Sequence, residues 1–154
     1  GGQWQRALLL FGEMCASKVE PNVISYSAGI SACEKGGQWE RALSMLSGLW
    51  IGNLEPDLIT YNAGVSACEK GDQWQRALSL FDELLDVQLE PSVVTYNAVI
   101  SACGKGAEWL QAFSLLSELN LATLEPDVIS YAAAMSSCER GGQWQQALAL
   151  LREQ

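Results

Sequence analysis

Residues 30–39 read Ile30-Ser31-Ala32-Cys33-Glu34-Lys35-Gly36-Gly37-Gln38-Trp39, and nearly the same phrase returns from Met135 to Trp144. The chain between them keeps the same beat. Trp4, Trp39, Trp74, Trp109 and Trp144 stand 35 residues apart, as do Pro21, Pro56, Pro91 and Pro126. Tyr26, Tyr61, Tyr96 and Tyr131 hold that step, and so do Cys33, Cys68, Cys103 and Cys138. A period of this length with no slipped residue marks a repeat architecture. Complete units span 23–57, 58–92 and 93–127. Residues 1–22 carry the back half of another unit, and 128–154 a unit without its tail. The expectation is that 1–154 forms a single array cut from a longer one.

Each unit predicts two helices. Val23, Tyr26, Ile30 and Cys33 share one helical face. The Gly36-Gly37 pair ends that helix, because glycine accepts the left-handed geometry of a C-cap. A second helix begins near Gln38, with Trp39, Ala42, Leu43, Leu46 and Leu49 as its apolar stripe. Glu55-Pro56-Asp57 closes the unit, since proline cannot extend a helix and disfavours helical backbone before it. One hairpin cannot bury its apolar face, but stacked neighbours can. The fold class is therefore all-α, an α-solenoid with one leading helix followed by four antiparallel hairpins.

Composition narrows the chemistry. About half of the 154 residues are hydrophobic (49%), ample for a core, and no stretch offers the ~18 uninterrupted apolar residues of a membrane span. There is no histidine, which removes the commonest general base and metal ligand. The paired glycines are interhelical turns rather than a phosphate loop, and the repeated carboxylates are one surface position copied. No catalytic residue, metal site or cofactor is expected. Stacked helices lie ~8–10 Å apart, whereas a disulfide needs Cα atoms within ~7 Å. The register-matched cysteines thus read as reduced core residues in a reducing compartment. Cys15 falls outside the register. The tryptophans, on the second helix, read as packing between hairpins.

The run Val93-Val94-Thr95-Tyr96-Asn97-Ala98-Val99-Ile100-Ser101-Ala102-Cys103, with the closing Leu89-Glu90-Pro91, resembles the pentatricopeptide repeat family in its plain 35-residue form. The resemblance covers essentially the whole chain. It implies a right-handed superhelix whose first helices line a concave groove. It also implies a non-catalytic, mostly organellar protein that binds single-stranded RNA, one base per repeat, read by two side chains.

The first helix has a face opposite its core stripe. Successive units place there Ile24, Ser27, Ser31 and Lys35; Ile59, Asn62, Ser66 and Lys70; Val94, Asn97, Ser101 and Lys105; and Ile129, Ala132, Ser136 and Arg140. Aliphatic side chains can sandwich a base, a small amide or hydroxyl can bond its edge, and a cation can sit by a phosphate. By resemblance, the base-reading pairs are Ser27 with Asp57, Asn62 with Ser92, and Asn97 with Asp127. The resemblance implies guanine, a pyrimidine and uracil for them, running 5′ to 3′. Ala132 has no hydrogen-bonding group, which makes the fourth unit a poor reader, and Asn22 is a mate without its unit. A plainer reading stands beside this one. Asp57, Ser92 and Asp127 precede helices as N-caps do, and the cations balance Glu34, Glu69 and Glu139.

Charge opposes a strong grip on RNA. Nine basic residues face eighteen acidic ones for a net charge of −9, while Glu20, Glu55, Glu90 and Glu125 recur near the expected groove edge and repel phosphates. Three competent units supply roughly 3–9 kcal/mol of stacking against an association cost of ~4–15 kcal/mol. The alternative is a protein-binding scaffold or accessory subunit of a larger complex. Trp50, the tryptophan outside the register, lies with Ile51, Leu85, Val87 and Leu121 near second-helix ends, where an apolar outer patch would mark protein contact.

Overall fold

The computed structural model describes residues 3–122 and 124–153, and every regular element among them is an α-helix. They run α1 (Gln3–Ala16), α2 (Val23–Lys35), α3 (Trp39–Ile51), α4 (Leu58–Lys70), α5 (Trp74–Asp86), α6 (Val93–Lys105), α7 (Trp109–Leu121), α8 (Val128–Arg140) and α9 (Trp144–Glu153). Gly1, Gly2, Thr123 and Gln154, which the expected units include, lie outside the described residues.

Local chemistry sets the helix ends. Asn22, Asp57, Ser92 and Asp127 are the N-caps of α2, α4, α6 and α8, and their side chains accept from the amides of Ser25, Thr60, Thr95 and Ser130. At the other end the chain turns through a Schellman-type hydrogen bond: the Gln38 amide donates to Cys33 O at 2.8 Å, Gln73 to Cys68 at 2.8 Å and Glu108 to Cys103 at 2.9 Å. The left-handed residue of this turn is Gly37 (φ 70°), Asp72 (φ 58°), Ala107 (φ 59°) or Gly142 (φ 75°). So only the second glycine of the Gly36-Gly37 pair serves the backbone conformation expected of both.

The first glycine serves packing. Gly36 has an unexceptional φ of −86°, but a Cβ placed on it would lie 2.3 Å from Trp4 Cδ1. A Cβ placed on Gly71 would lie equally close to Trp39 Cδ1 and one on Gly106 to Trp74 Cδ1, while one on Gly141 would lie 2.7 Å from Trp109 Cδ1. Each second helix therefore lays its tryptophan on the bare end of the first helix that follows. Arg41 closes over the Trp4 ring at 5.2 Å and Arg76 over Trp39 at 5.1 Å, cation–π contacts supplied by the next second helix.

The helices form two layers of unequal spacing. The first helices α2, α4, α6 and α8 pack directly on one another in sequence. The second helices α3, α5 and α7 pack on their own partners and on the following first helix, but their backbones do not approach each other. Closer spacing on one edge curves the stack, with the first helices inside. A continuous core runs between the layers through Ile30, Cys33, Leu46, Tyr61, Cys68, Leu84, Tyr96, Ile100 and Leu119. Trp144, which no first helix of this chain follows, is 63% exposed.

Two substitutions separate the two glycine roles. Gly71→Ala should lower stability by about 1–3 kcal/mol through overpacking against Trp39. Ala107→Gly should raise it by about 1 kcal/mol by relieving a left-handed alanine. Urea unfolding followed by circular dichroism measures both, and a neutral Gly71→Ala would refute the packing role.

Candidate nucleic-acid interface

Four aliphatic side chains at equivalent points of the first helices stand in solvent: Ile24 is 77% exposed, Ile59 69%, Val94 65% and Ile129 63%. Folding gains little from them, yet the row is unbroken on the inner layer.

One helical turn further on lie the small polar residues, and the structure ties two of them into the next repeat. Asn97 is nearly buried and donates from Nδ2 to Asp127 Oδ1 at 3.1 Å. Its Oδ1 accepts a short hydrogen bond from the Ser130 hydroxyl. Asn62 Oδ1 accepts from Thr95 Oγ1 at 2.6 Å, and that same hydroxyl accepts the Ser92 amide at 3.1 Å. Asn97 and Asp127 thus meet directly, and Asn62 and Ser92 meet through Thr95. Ser27 and Asp57 share no hydrogen bond among the described residues. The Thr60 hydroxyl donates to Asp57 Oδ1 at 2.6 Å.

The capping bonds to the two carboxylates converge on one oxygen. The bonds to Asp57 from Thr60 and to Asp127 from Ser130 and Asn97 all land on Oδ1. Oδ2 of each carries none of these bonds, and the Ile129 amide also acts on the Asp127 carboxylate. The Ser130 amide, helped by the Ser130 hydroxyl and the Asn97 amide, holds the Asp127 carboxyl below the usual carboxylate range. It is ionised at neutral pH and can only accept. The hydroxyls of Thr60, Thr95 and Ser130, each fully buried, were not among the sequence-derived site residues. Their signal was the capping-box spacing, a hydroxyl three residues after each cap.

The serine–cation ladder makes cross-repeat triads. Glu34 accepts from Ser66 Oγ at 2.8 Å and pairs with Lys70 at 2.6 Å. Glu69 accepts from Ser101 Oγ at 2.9 Å and pairs with Lys105 at 3.1 Å, with Asp72 a further 3.8 Å contact to the same lysine. Lys70 and Lys105 each balance the glutamate of the preceding repeat. Burial raises the Glu34 carboxyl, but Lys70 and Ser66 together outweigh it and leave it below its ordinary value. Lys35 and Arg140 make no ion pair among the described residues.

On the outer layer, Trp50 is 41% exposed, yet its indole N–H donates to Glu83 Oε1 at 2.9 Å, an oxygen that also accepts from the Tyr61 hydroxyl at 3.1 Å. It ties α3 to α5. Ile51 and Leu121 are each 84% exposed, and Leu85 and Val87 are exposed to a lesser degree. Cys33, Cys68, Cys103 and Cys138 are buried and free, and Cys15 is exposed and free. Burial pushes the Cys68 and Cys103 thiols up to about 11. Among the described residues there is no metal-binding cluster of acidic and cysteine side chains, and no helix long and apolar enough to cross a membrane.

Residues 56–105 and 91–140 match the model of the PPR repeat family, and 24–49 match a second PPR repeat model. Among solved structures, the pentatricopeptide repeat protein PPR10 from maize aligns with 99% of this chain at 27% identity and a TM-score of 0.75. PPR10 in complex with an 18-nt psaJ RNA element aligns over 99% at 20% identity and a TM-score of 0.81. In both cases the chain spans only 22% of the length of PPR10. The PPR domain of Arabidopsis thaliana protein-only RNase P 1, in complex with tRNA, aligns over 99% of this chain and 80% of its own, at 14% identity and a TM-score of 0.84. No curated protein sequence matches the chain.

Two measurements follow from the site's titrations. The folded-state carboxyls of Asp127 and Glu34 are lowered. Their contribution is therefore complete above the unfolded value of about 4 and lost as pH falls through the lower folded value. Asp127→Asn retains a capping side chain and should show a shallower loss of stability between pH 5 and pH 2 than the parent chain. In native alkylation with iodoacetamide near pH 8, mass spectrometry should find Cys15 modified well before the buried four.

Proposed function

The chain belongs to the pentatricopeptide repeat family, and on that premise we propose that its inner groove binds single-stranded RNA, each complete repeat addressing one base. The observation that carries this reading is the row of solvent-facing Ile24, Ile59, Val94 and Ile129 beside the small polar residues of the same helices, two of which, Asn62 and Asn97, are tied to the next repeat. In this reading the aliphatic residues sandwich bases. Ser27 with Asp57, Asn62 with Ser92, and Asn97 with Asp127 read base edges. Lys35, Lys70, Lys105 and Arg140 lie along the phosphates. The module is non-catalytic and serves RNA processing, stability or translation in an organelle. The net charge of −9 keeps affinity for short RNA low and strongly salt-dependent.

A second reading rests on a different surface. The exposed Ile51 and Leu121, with Leu85, Val87 and the outer edge of Trp50, favour a scaffold that docks on protein subunits through its second helices. Crosslinking that captures protein on this face, with no retained RNA, would select it.

The primary test is fluorescence anisotropy at low salt, with RNA carrying guanine, cytosine and uracil in the order of the three pairs and with a scrambled control. Ile59→Ala and Val94→Ala should leave unfolding unchanged, because both side chains are exposed, and should weaken binding about fivefold or more each by loss of stacking. Equal binding of the two RNAs, or full affinity in both variants, would defeat the RNA reading.

A further inference from the structure

The two helices of each unit run antiparallel, so every closing turn falls on one long edge of the array and every interhelical turn on the other. Residues 10–29, 45–64, 80–99 and 115–134 form the closing-turn edge: second-helix ends, turns and first-helix starts. They hold eleven of the eighteen acidic residues but, of the nine basic ones, only Lys18. The opposite edge carries the other seven acids against eight bases. The net charge of −9 is therefore lodged wholly on one edge. Among the described residues the ion pairs, those of Glu34, Glu69 and Asp72, lie on the interhelical-turn edge, and none reaches an acid of the closing-turn edge.

Folding explains only part of this pattern. Asp57 and Asp127 cap helices, and Glu83 holds Trp50 and Tyr61. Glu13, Asp86 and Glu118 instead stand in the last turns of α1, α5 and α7, where the helix dipole disfavours a carboxylate. None of α1, α3, α5 and α7 has a cation in its last turn, whereas α2, α4, α6 and α8 end on Lys35, Lys70, Lys105 and Arg140. The acids thus sit where they weaken the helices that carry them. Apolar side chains stand among them. Val19, Ile51, Val87 and Leu121, near the same outer corner of successive units, are all exposed. Stacked helices advance by roughly 8–10 Å, and the outer layer is the more widely spaced of the two. Seven residues of α-helix rise about 10.5 Å, close to two turns.

We infer that the closing-turn edge docks a basic amphipathic helix of a partner protein, laid along the array. One apolar residue of that helix in every seven or so meets the corner of each unit, and its flanking lysines or arginines meet Glu13, Asp86, Glu118 and their neighbours. Such cations supply the neutral helix ends that this chain leaves unmade. The same charge turns away the phosphates of RNA and of an anionic membrane surface. The inference deepens the docking reading of the outer residues by giving the partner its chemistry, and it does not depend on RNA in the groove.

The test titrates the full chain into a labelled helical peptide of several heptads, with leucine at every seventh residue and lysine beside it, read by anisotropy over a range of salt. One control peptide scrambles the order, and another replaces lysine by glutamine. The lysine peptide should bind about tenfold tighter than either at low salt and lose that lead as salt rises. Ile51→Ser combined with Leu121→Ser, both exposed, should weaken it about tenfold. Asp86→Asn combined with Glu118→Gln should weaken it about fivefold without lowering the urea midpoint. Ile59→Ala, in the groove, should leave peptide affinity unchanged. Full affinity in both double variants, or a loss in Ile59→Ala instead, overturns the proposal. Equal binding of the glutamine peptide overturns the basic partner and leaves the apolar docking reading standing. Binding of neither peptide overturns this edge as a docking surface.

Discussion

A tryptophan pressed against a backbone without a side chain is the contact on which the stack depends. Trp4, Trp39, Trp74 and Trp109 each lie on the glycine that ends the next first helix, so close that a single added carbon would collide. The contact joins a large apolar surface to the one place where a helix can be approached at backbone distance. It sets how far each repeat advances on the last. Everything on the inner face inherits that advance. The hydroxyl of Thr95 meets Asn62, and the glutamate of one unit meets the lysine of the next, only because the rise between them is constant.

Much of this was legible from sequence, and the reason is periodicity. Identical spacing of Trp, Pro, Tyr and Cys left little freedom in where helices begin and end, and the caps at Asn22, Asp57, Ser92 and Asp127 lie where an amide, acid or hydroxyl residue follows the unit-closing proline. What was not legible lies between repeats. Lys35 and Lys70 follow glutamates in sequence, which suggests neighbours pairing, yet consecutive residues on a helix point in different directions. The partner of Lys70 is Glu34, a whole repeat away, and depends on three-dimensional offset. Gly36 and Gly37 look alike as letters, but one makes room for a ring and the other adopts a left-handed backbone. The tie from Trp50 to Glu83 joins two outer helices, a relation that no pattern within one unit encodes.

The groove shows how folding and recognition share atoms. A cap needs one oxygen, and a carboxylate has two. Asp57 and Asp127 commit Oδ1 to the helix, so removing either residue would injure both tasks. Conversion to asparagine separates them, because the amide still accepts at the cap while its outer edge becomes a donor. Asn97 is stiffened in the same way, its two ends held by Ser130 and Asp127. A side chain already ordered in the free protein loses less rotamer entropy when it meets a ligand.

The unequal spacing of the two layers has a mechanical consequence. Inner helices touch along their lengths, whereas outer helices are linked across the gap by side-chain ties such as Trp50 with Glu83. A load along the array would open the outer seams first, trading a few rotamers while every helical hydrogen bond survives. The molecule is in this sense a coil spring whose stiffness resides on its inner edge, able to lengthen or shorten its pitch without unfolding a repeat.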